Sequence, residues 1–241
     1  MRRIAMWSGP RNISTAMMRA WGNRPDTFVC DEPLYAHYLL KTGVAHPGAD
    51  EVIRAQESDW RKVVAWLAEY SPPGKTIFFQ KHMTHHLLPE IDRGWLARVT
   101  NAFLIREPRE VITSFVKVAG DPRLEDTGYP QQLEIFKLVW QHAGKVPPVL
   151  DARDVLQDPP RLLRLLCAAV DVEFTEAMLS WPPGPRQTDG IWGKYWYEGV
   201  WRSTRFQPYH PKNEPVPRRL VDILDQAEAI YRRLREHRLG Q

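Results

Sequence analysis

The chain has 241 residues, of which 43% are hydrophobic and 26% are charged, and its formal net charge at pH 7 is +4. This composition is ordinary for a globular protein, and the length suits one complete α/β core, so we expect a single domain over residues 1–241. No apolar run approaches the roughly 18 residues that a membrane span needs, and no basic run is typical of nucleic-acid binding. We therefore expect a cytoplasmic protein with neither a membrane nor a nucleic-acid partner, in which Cys30 and Cys167 are reduced thiols.

A tight turn separates the first predicted strand from the first predicted helix. Arg3–Trp7 is a short apolar run, Ser8-Gly9-Pro10 interrupts it, and Ser14–Trp21 resumes with good helix formers. Such a turn directs backbone N–H groups and the positive end of a helix at one point, where phosphate or sulfate binds well. The G-x-x-x-x-G-K-S/T pattern of nucleotide kinases is absent, because Ser14 and Thr15 stand where its second glycine and its lysine belong.

The rest of the chain alternates between short apolar runs and segments with helical spacing. The runs predict strands at Thr27–Cys30, Thr76–Phe79, Ala102–Ile105 and Val146–Leu150. The spacing predicts helices at Asp50–Tyr70, Arg109–Val118, Arg161–Val170 and Arg218–Arg238. Because alternating strands and helices build parallel sheets, we predict an α/β fold. Its doubly wound, mostly parallel five-stranded sheet has helices on both faces, as in nucleotide kinases and other P-loop NTPases.

Polar side chains follow the first four predicted strands. Arg11, Glu32, His82 and Arg106 each come just after the carboxyl end of one strand. In open α/β sheets ligands bind outside that edge, so we expect these four side chains to face a common site.

One late segment is set apart by its composition. Residues 188–212 are rich in Trp, Tyr, Pro and Gly and are expected to form a loop or flap within the domain. Its aromatic side chains suit the lining of a ligand pocket, stacking on an adenine, or a cover packed on the core. An exposed aromatic section also makes a homodimer plausible.

The turn after the first strand resembles the 5′-phosphosulfate loop of sulfotransferases, which use 3′-phosphoadenosine 5′-phosphosulfate (PAPS). Many members of that family read P-K-S-G-T-T, where this chain has Pro10-Arg11-Asn12-Ile13-Ser14-Thr15. Arg11 thus replaces the usual lysine, and Asn12-Ile13 replaces the Ser-Gly pair.

Two later stretches extend the resemblance over residues 3–170. Arg106, at the end of the fourth strand, and Ser114, in the following helix, match the family's 3′-phosphate motif position for position. A guanidinium group grips phosphate bidentately, although Arg106 could instead pair with Glu110. Residues 149–159 partly match the family's next strand and its E-D-L-x-x-D-P segment.

The resemblance implies a binding site for PAPS, whose product is 3′-phosphoadenosine 5′-phosphate (PAP). Arg11 would stabilise the charge on the leaving phosphate, and Glu32 or His82 would take the acceptor's proton, with Glu32 favoured. Tyr35, His37 and Lys81 follow the second and third strands and would contact the acceptor. The residues that would hold PAPS are Gly9, Pro10, Arg11, Asn12, Ile13, Ser14, Thr15, Arg106 and Ser114.

No metal is expected, because His82, His85 and His86 lack the His-Glu-x-x-His pattern and a nearby cysteine. The acceptor is expected to be a small molecule with a hydroxyl or an amine. Two alternatives stay open. One is a module of the same fold that binds a nucleotide or anion without catalysis, and the other is an ATP-dependent small-molecule kinase.

Overall fold

Five parallel strands form the centre of the protein in the computed structural model, which describes residues 1–212 and 214–241. They are β1 Arg2–Ser8, β2 Thr27–Asp31, β3 Ile77–Met83, β4 Thr100–Ile105 and β5 Val149–Asp151. Their order is β2-β3-β1-β4-β5, and every neighbouring pair is parallel. This order places the segments that follow β1, β3 and β4 side by side at the carboxyl edge of the sheet.

Helices cover both faces of the sheet. They are α1 Ser14–Gly22, α2 Tyr35–Thr42, α3 Ala49–Ala55, α4 Trp60–Glu69, α5 Pro108–Ala119, α6 Tyr129–Ala143, α7 Ala152–Gln157, α8 Pro159–Ala169, α9 Gly193–Trp196, α10 Glu198–Trp201 and α11 Val221–Arg235. Short 3₁₀ turns lie at Thr84–His86, Gly94–Arg98, Glu125–Thr127, Glu176–Leu179 and Arg218–Leu220. No helix of these described residues is both long and apolar enough to cross a membrane.

Two apolar cores lie on the opposite faces of the sheet, because successive side chains of a strand alternate between faces. Ile4 and Met6 of β1 pack in the core that contains buried residues of α1 and α8. Ala5 and Trp7 pack in the other core, with buried residues of α4 and α6. The predicted α/β fold with its doubly wound five-stranded sheet is therefore confirmed.

The predicted helix at Asp50–Tyr70 is wrong in one respect, because the structure divides it into α3 and α4. Gln56 has an extended backbone and ends α3. Asp59 then caps α4 by accepting a hydrogen bond from the Arg61 amide, as Asp does well at a helix start. The strand predicted at Val146–Leu150 is also shorter, since β5 begins only after Pro147 and Pro148, which have no N–H for the sheet.

The segment at residues 188–212, expected to be a loop or flap, contains α9 and α10, each a single turn of helix. Trp192 and Tyr197 of this segment are buried, and both pack in a small core with Tyr35, Tyr38 and Leu39 of α2. Cys30 and Cys167 are both free thiols, as expected.

Candidate functional site

The turn between β1 and α1 is pinned to the neighbouring strand. The Asn12 side-chain amide donates to the Leu104 carbonyl of β4 at 2.9 Å, and its oxygen accepts from the Ile13 amide at 2.8 Å. Arg11 has a left-handed backbone (φ 56°), which a side chain adopts only where its surroundings hold it. The N-cap of α1 is Ile13, whose side chain accepts no hydrogen bond. The first amides of the helix thus suit an anion.

Gly9 is required by a close approach to a distant loop. A Cβ atom at this position would lie 2.5 Å from the Thr127 carbonyl oxygen. Gly128, next to Thr127, also packs against this turn, since a Cβ there would lie 3.2 Å from the Gly9 Cα. The segment before α6 therefore forms one wall beside the turn.

Arg106 and Ser114 converge on the same turn from β4 and α5. The Arg106 guanidinium donates to the Arg11 carbonyl at 2.8 Å, and Arg11 Nε donates to Ser114 Oγ at 3.0 Å. Arg106 also pairs with Glu110 at 2.8 Å, and Glu110 accepts from the Tyr209 hydroxyl at 2.8 Å. The ion pair with Glu110 fixes the guanidinium against the turn and leaves some of its N–H groups unused.

Positive charge is concentrated at this point. Burial and the neighbouring charge of Arg106 lower the pKa of Arg11, and they also lower the pKa of Lys212. We call Arg11, Arg106 and Lys212 the cation cluster. The Arg106 charge repels the other two, and the carboxylates of Glu110 and Glu214 oppose this effect at Lys212. An anion with several charges would stabilise the cation cluster.

A second polar group lies at the carboxyl ends of β2 and β3. Lys81 is 1% exposed, and its ammonium donates to Asp31 at 2.8 Å, to the Tyr197 hydroxyl at 2.8 Å and to Glu32. The Tyr197 hydroxyl also contacts Asp31 at 2.8 Å. We call these four residues, Asp31, Glu32, Lys81 and Tyr197, the lysine network. It holds two carboxylates and one cation at buried positions.

The charges within the lysine network, together with burial, shift the pKa values of its members. Burial raises the pKa of Glu32, an effect that the Lys81 charge opposes and the Asp31 charge reinforces. Burial alone would lower the pKa of Lys81, but the carboxylates raise it well above its ordinary value. Lys81 is therefore a permanent cation, and Glu32 takes a proton more readily than an exposed glutamate.

His82 lies on the opposite face of β3 from Lys81, because adjacent side chains of a strand alternate. It is 1% exposed, and its ring stacks on Trp7 with 4.4 Å between centroids, while Nε2 contacts Gln80 at 3.3 Å. Burial lowers its pKa to about 3, so it is neutral at pH 7. The structure thus brings Glu32 and Lys81 together and places His82 inside an apolar core.

The side chains of Tyr35 and His37 in α2 contact different parts of the protein. The Tyr35 hydroxyl contacts His46 Nδ1 at 2.8 Å, and its ring stacks on His86 with 4.7 Å between centroids. His86 Nδ1 lies 3.9 Å from Glu32 Oε2, so Tyr35 is near the lysine network. His37 instead contacts the Ser58 carbonyl at 3.0 Å and Glu90 at 3.1 Å, and it thereby fastens α2 to the rest of the fold.

The flap (residues 188–212) closes over the lysine network. The Gly190 amide donates to Asp31 at 3.0 Å, and Trp192 Nε1 donates to the Tyr197 hydroxyl at 3.0 Å. Sequence reasoning missed Asp31, Tyr197 and His86 as members of the site. Asp31 offered a signal, since it precedes Glu32 at a strand end, whereas Tyr197 lay among several aromatic residues with nothing to distinguish it.

No group of three or more His, Cys, Asp or Glu side chains in the described ranges, 1–212 and 214–241, is arranged to hold a metal ion.

Comparison with known proteins identifies the family to which this chain is similar. A family model described as a sulfotransferase domain matches residues 1–237. Two Arabidopsis thaliana proteins, branched-chain-amino-acid aminotransferase-like proteins 2 and 1, are 34% and 35% identical over 237 and 236 residues. The matches cover 98% and 97% of this chain but 42% of each relative, so the chain spans less than half of their length.

Solved structures share the fold at low sequence identity. A sulfotransferase from Alicyclobacillus acidocaldarius superposes with a TM-score of 0.58 at 12% identity, covering 100% of this chain and 98% of that one. The sulfotransferase domain from the curacin biosynthetic pathway superposes with a TM-score of 0.52 at 16% identity, covering 94% and 97%. Since the family model spans nearly all of the sequence and these structures share its architecture, the chain belongs to the sulfotransferase domain family.

Proposed function

We propose that this protein transfers a sulfuryl group from PAPS to a hydroxyl or an amine of a small-molecule acceptor. The observation that carries the proposal is the convergence of Arg11, Arg106 and Ser114 on the uncapped start of α1. PAPS has negative groups at both its 3′ and its 5′ position. Two adjoining anion sites, one made of backbone amides and one of cations, fit such a molecule.

The proposed donor site uses the turn and the cation cluster. The amides of Gly9–Thr15 and the hydroxyls of Ser14 and Thr15 would hold the 5′-phosphosulfate, except at Pro10, which has no N–H, and at Ile13, whose amide already donates to Asn12. Arg106 and Ser114 would hold the 3′-phosphate. When bound, PAPS supplies the activated sulfuryl group. Arg11 stays protonated even with a lowered pKa, so it stabilises negative charge on the departing phosphate but does not donate a proton to it.

We further propose that Glu32 rather than His82 takes the acceptor's proton. Glu32 is at the strand tip with an 11% exposed side chain, whereas His82 is packed between Trp7 and Trp95 in the core. The donation from Lys81 orients the Glu32 carboxylate and keeps it charged. The acceptor oxygen or nitrogen gives its proton to Glu32 as its bond to sulfur forms and the bond between sulfur and the phosphate oxygen breaks.

Calorimetric binding of PAP, ADP and AMP without metal tests the donor assignment. Wild type should prefer PAP, and Arg106→Ala should lose that preference, because charge-assisted hydrogen bonds contribute about 1.5–3 kcal/mol, or roughly ten- to a hundredfold in affinity. Arg98→Ala is the control, since it removes the same charge beyond the other end of β4, where Arg98 pairs with Glu69. Equal binding of all three nucleotides by wild type would contradict the proposal. A requirement for Mg²⁺ would instead favour a kinase.

A further inference from the structure

His86 has a buried nitrogen without a partner at the edge of the lysine network. It lies in the 3₁₀ turn Thr84–His86 that follows β3, and its ring stacks on those of Tyr35 and Tyr38, each 4.7 Å away by centroids. Its Nδ1 has no hydrogen-bond partner among the residues that the structure describes. Leaving such an atom unpaired destabilises the folded protein, so a group that pairs with it would bind well.

The distance from His86 Nδ1 to Glu32 limits which group could lie between them and bond to both. His86 Nδ1 and Glu32 Oε2 are 3.9 Å apart, too far for a direct hydrogen bond. One oxygen atom at about 2.8 Å from both atoms bridges such a gap. The carboxylate only accepts hydrogen bonds, so the bridging group must donate to it, and a hydroxyl can do so while accepting from an imidazole N–H. An alkylammonium ion has no lone pair for the imidazole N–H.

The 3₁₀ turn Thr84–His86 lies close to the turn between β1 and α1. His85, next to His86, also has an unpaired buried Nδ1, and a Cβ at Gly128 would lie 3.6 Å from that atom and 3.2 Å from the Gly9 Cα. Gly128 therefore packs against both turns, so the proposed acceptor position and the proposed donor site belong to neighbouring segments of the fold.

The histidine and tyrosine side chains around His86 are uncharged near neutral pH. The charges that act on them from the neighbouring segment, Asp126 and Arg123, pair with each other at 3.1 Å. Burial and the adjacent imidazoles lower the pKa of His86 well below its ordinary value, and burial lowers the pKa of His85 to about 4. Burial also lowers the pKa of His46 and raises that of Tyr38. The Lys81 cation is held by its two carboxylates. A neutral imidazole is thus the state that the surroundings favour. The Glu32 carboxylate, 3.9 Å from Nδ1, favours the tautomer that has its proton on that nitrogen.

We propose that the position between Glu32 and His86 binds the acceptor hydroxyl, and that the acceptors are alcohols or phenols rather than amines. This inference rests on the proposed function. His86 donates to the acceptor oxygen and holds it while Glu32 Oε2 takes the proton. The oxygen then forms its bond to sulfur as the bond from sulfur to the phosphate oxygen breaks, and that electron pair remains on the phosphate near Arg11.

Two substitutions of His86 distinguish the role of its Nδ1 atom from the role of its ring. His86→Phe keeps a ring against Tyr35 and Tyr38 but removes the nitrogen, whereas His86→Asn places an amide near the Nδ1 position. His237→Phe is the matched control, because its ring also stacks on an aromatic residue, Phe136 at 5.3 Å, but at the opposite end of the sheet. The probes are 4-nitrophenol, 4-nitrobenzyl alcohol and 4-nitrobenzylamine, with PAP release as the readout. Slow consumption of PAPS by water, itself a hydroxyl donor, is followed without a probe.

We expect wild type to use the phenol or the alcohol and not the amine at pH 7. His86→Phe should lower kcat/KM at least tenfold and slow the reaction with water, His86→Asn should recover part of the loss, and His237→Phe should equal wild type. The affinity for PAP should be the same in all four proteins. This separates a role toward the acceptor from damage to the fold or to the donor site.

The possible failures are distinguishable. Wild-type kcat/KM in His86→Phe, or equal use of the amine and the alcohol, overturns this inference and leaves the proposed function standing. PAP binding without consumption of PAPS by any probe or by water also overturns it. Absence of PAP binding by wild type overturns the proposed function, and this inference with it.

Discussion

Burial moves the pKa values of Glu32 and His82 in opposite directions. A carboxyl group is charged when it has lost its proton and an imidazole when it has gained one, so low polarity raises the first pKa and lowers the second. The pKa of Glu32 is raised above its ordinary 4.5, and that of His82 falls from 6.5 to about 3. The two candidate bases therefore have different pH dependences.

The pH–rate profile should identify the base. If Glu32 is the base, kcat/KM falls on acidification with an apparent pKa above 4.5, because the protonated carboxyl accepts no further proton. If His82 were the base, its own protonation would not reduce the rate until pH nears 3. We expect the first profile between pH 5 and 8 in wild type, with retained structure checked by circular dichroism.

Substitutions of the two candidate bases complete the test by pH–rate profile. Glu32→Gln should lose at least a hundredfold in rate, since general-base catalysis contributes about 10²–10⁴-fold. His82→Asn should retain the acid limb of wild type, whatever its effect on stability. An acid limb that disappears in His82→Asn but persists in Glu32→Gln would contradict the assignment.

Residues within local motifs were predictable, and residues that meet only through the fold were not. Arg11, Arg106 and Ser114 follow strands at short, fixed spacings, and the structure brings them together. Tyr197 lies 166 residues from Asp31, and their contact depends on how the flap docks. Nothing in the local sequence of Tyr197 distinguishes it from Tyr195, which is largely exposed.

At the level of elements, polar anchors determine the position of the flap. Helices of four residues such as α9 and α10 are not stable alone, so contacts to the sheet must hold them. Tyr197 and the Gly190 amide bond Asp31, and the buried Arg19–Asp189 ion pair of 2.7 Å adds a third anchor. Because Asp31 also binds Lys81, the flap and the orientation of Glu32 are coupled.

Tyr197→Phe should loosen the part of the flap that contains α9 and α10. The variant leaves partners of the hydroxyl unpaired in a buried place, which costs roughly 1–3 kcal/mol. We expect faster hydrogen exchange in residues 188–201 and a lower kcat, with little change in PAP affinity because Tyr209 keeps its own contact with Glu110 next to Lys212. Tyr195→Phe is the control, since its hydroxyl makes only a 3.4 Å contact with Glu51 at the surface. Equal exchange in the two variants would refute the coupling.

Element prediction succeeded where the apolar pattern was strong. The apolar runs of β1 to β4 identified those strands, whereas α6 was missed although Ile135, Phe136 and Val139 have the spacing of one helix face. The break between α3 and α4 depends on local features, the extended backbone of Gln56 and the capping contact of Asp59, which compete with the continuous helical pattern around them.

For the whole molecule, buried neutral histidines link stability to pH. Burial lowers the pKa of His82 to about 3 and that of His85 to about 4, and it lowers the pKa of His86 well below its ordinary value. In the unfolded chain these residues titrate near 6.5. Their contribution to stability is therefore complete above pH 6.5 and is lost as the pH falls toward the folded values.

Acid should unfold this protein more readily than its carboxylates alone would cause. Below pH 6.5 the unfolded state binds more protons than the folded state, and each such histidine lowers the free energy of unfolding by up to about 1.4 kcal/mol per pH unit. Urea unfolding of wild type and His82→Phe at pH 7, 6 and 5 gives the free energy of unfolding at each pH. This free energy should fall less steeply with decreasing pH in the variant, by the equivalent of about one bound proton. Phe103→Leu, a change in the same core without a titratable group, should lower stability equally at every pH. Identical slopes in wild type and His82→Phe would mean that His82 takes up its proton equally in both states, contrary to its place beneath Trp7.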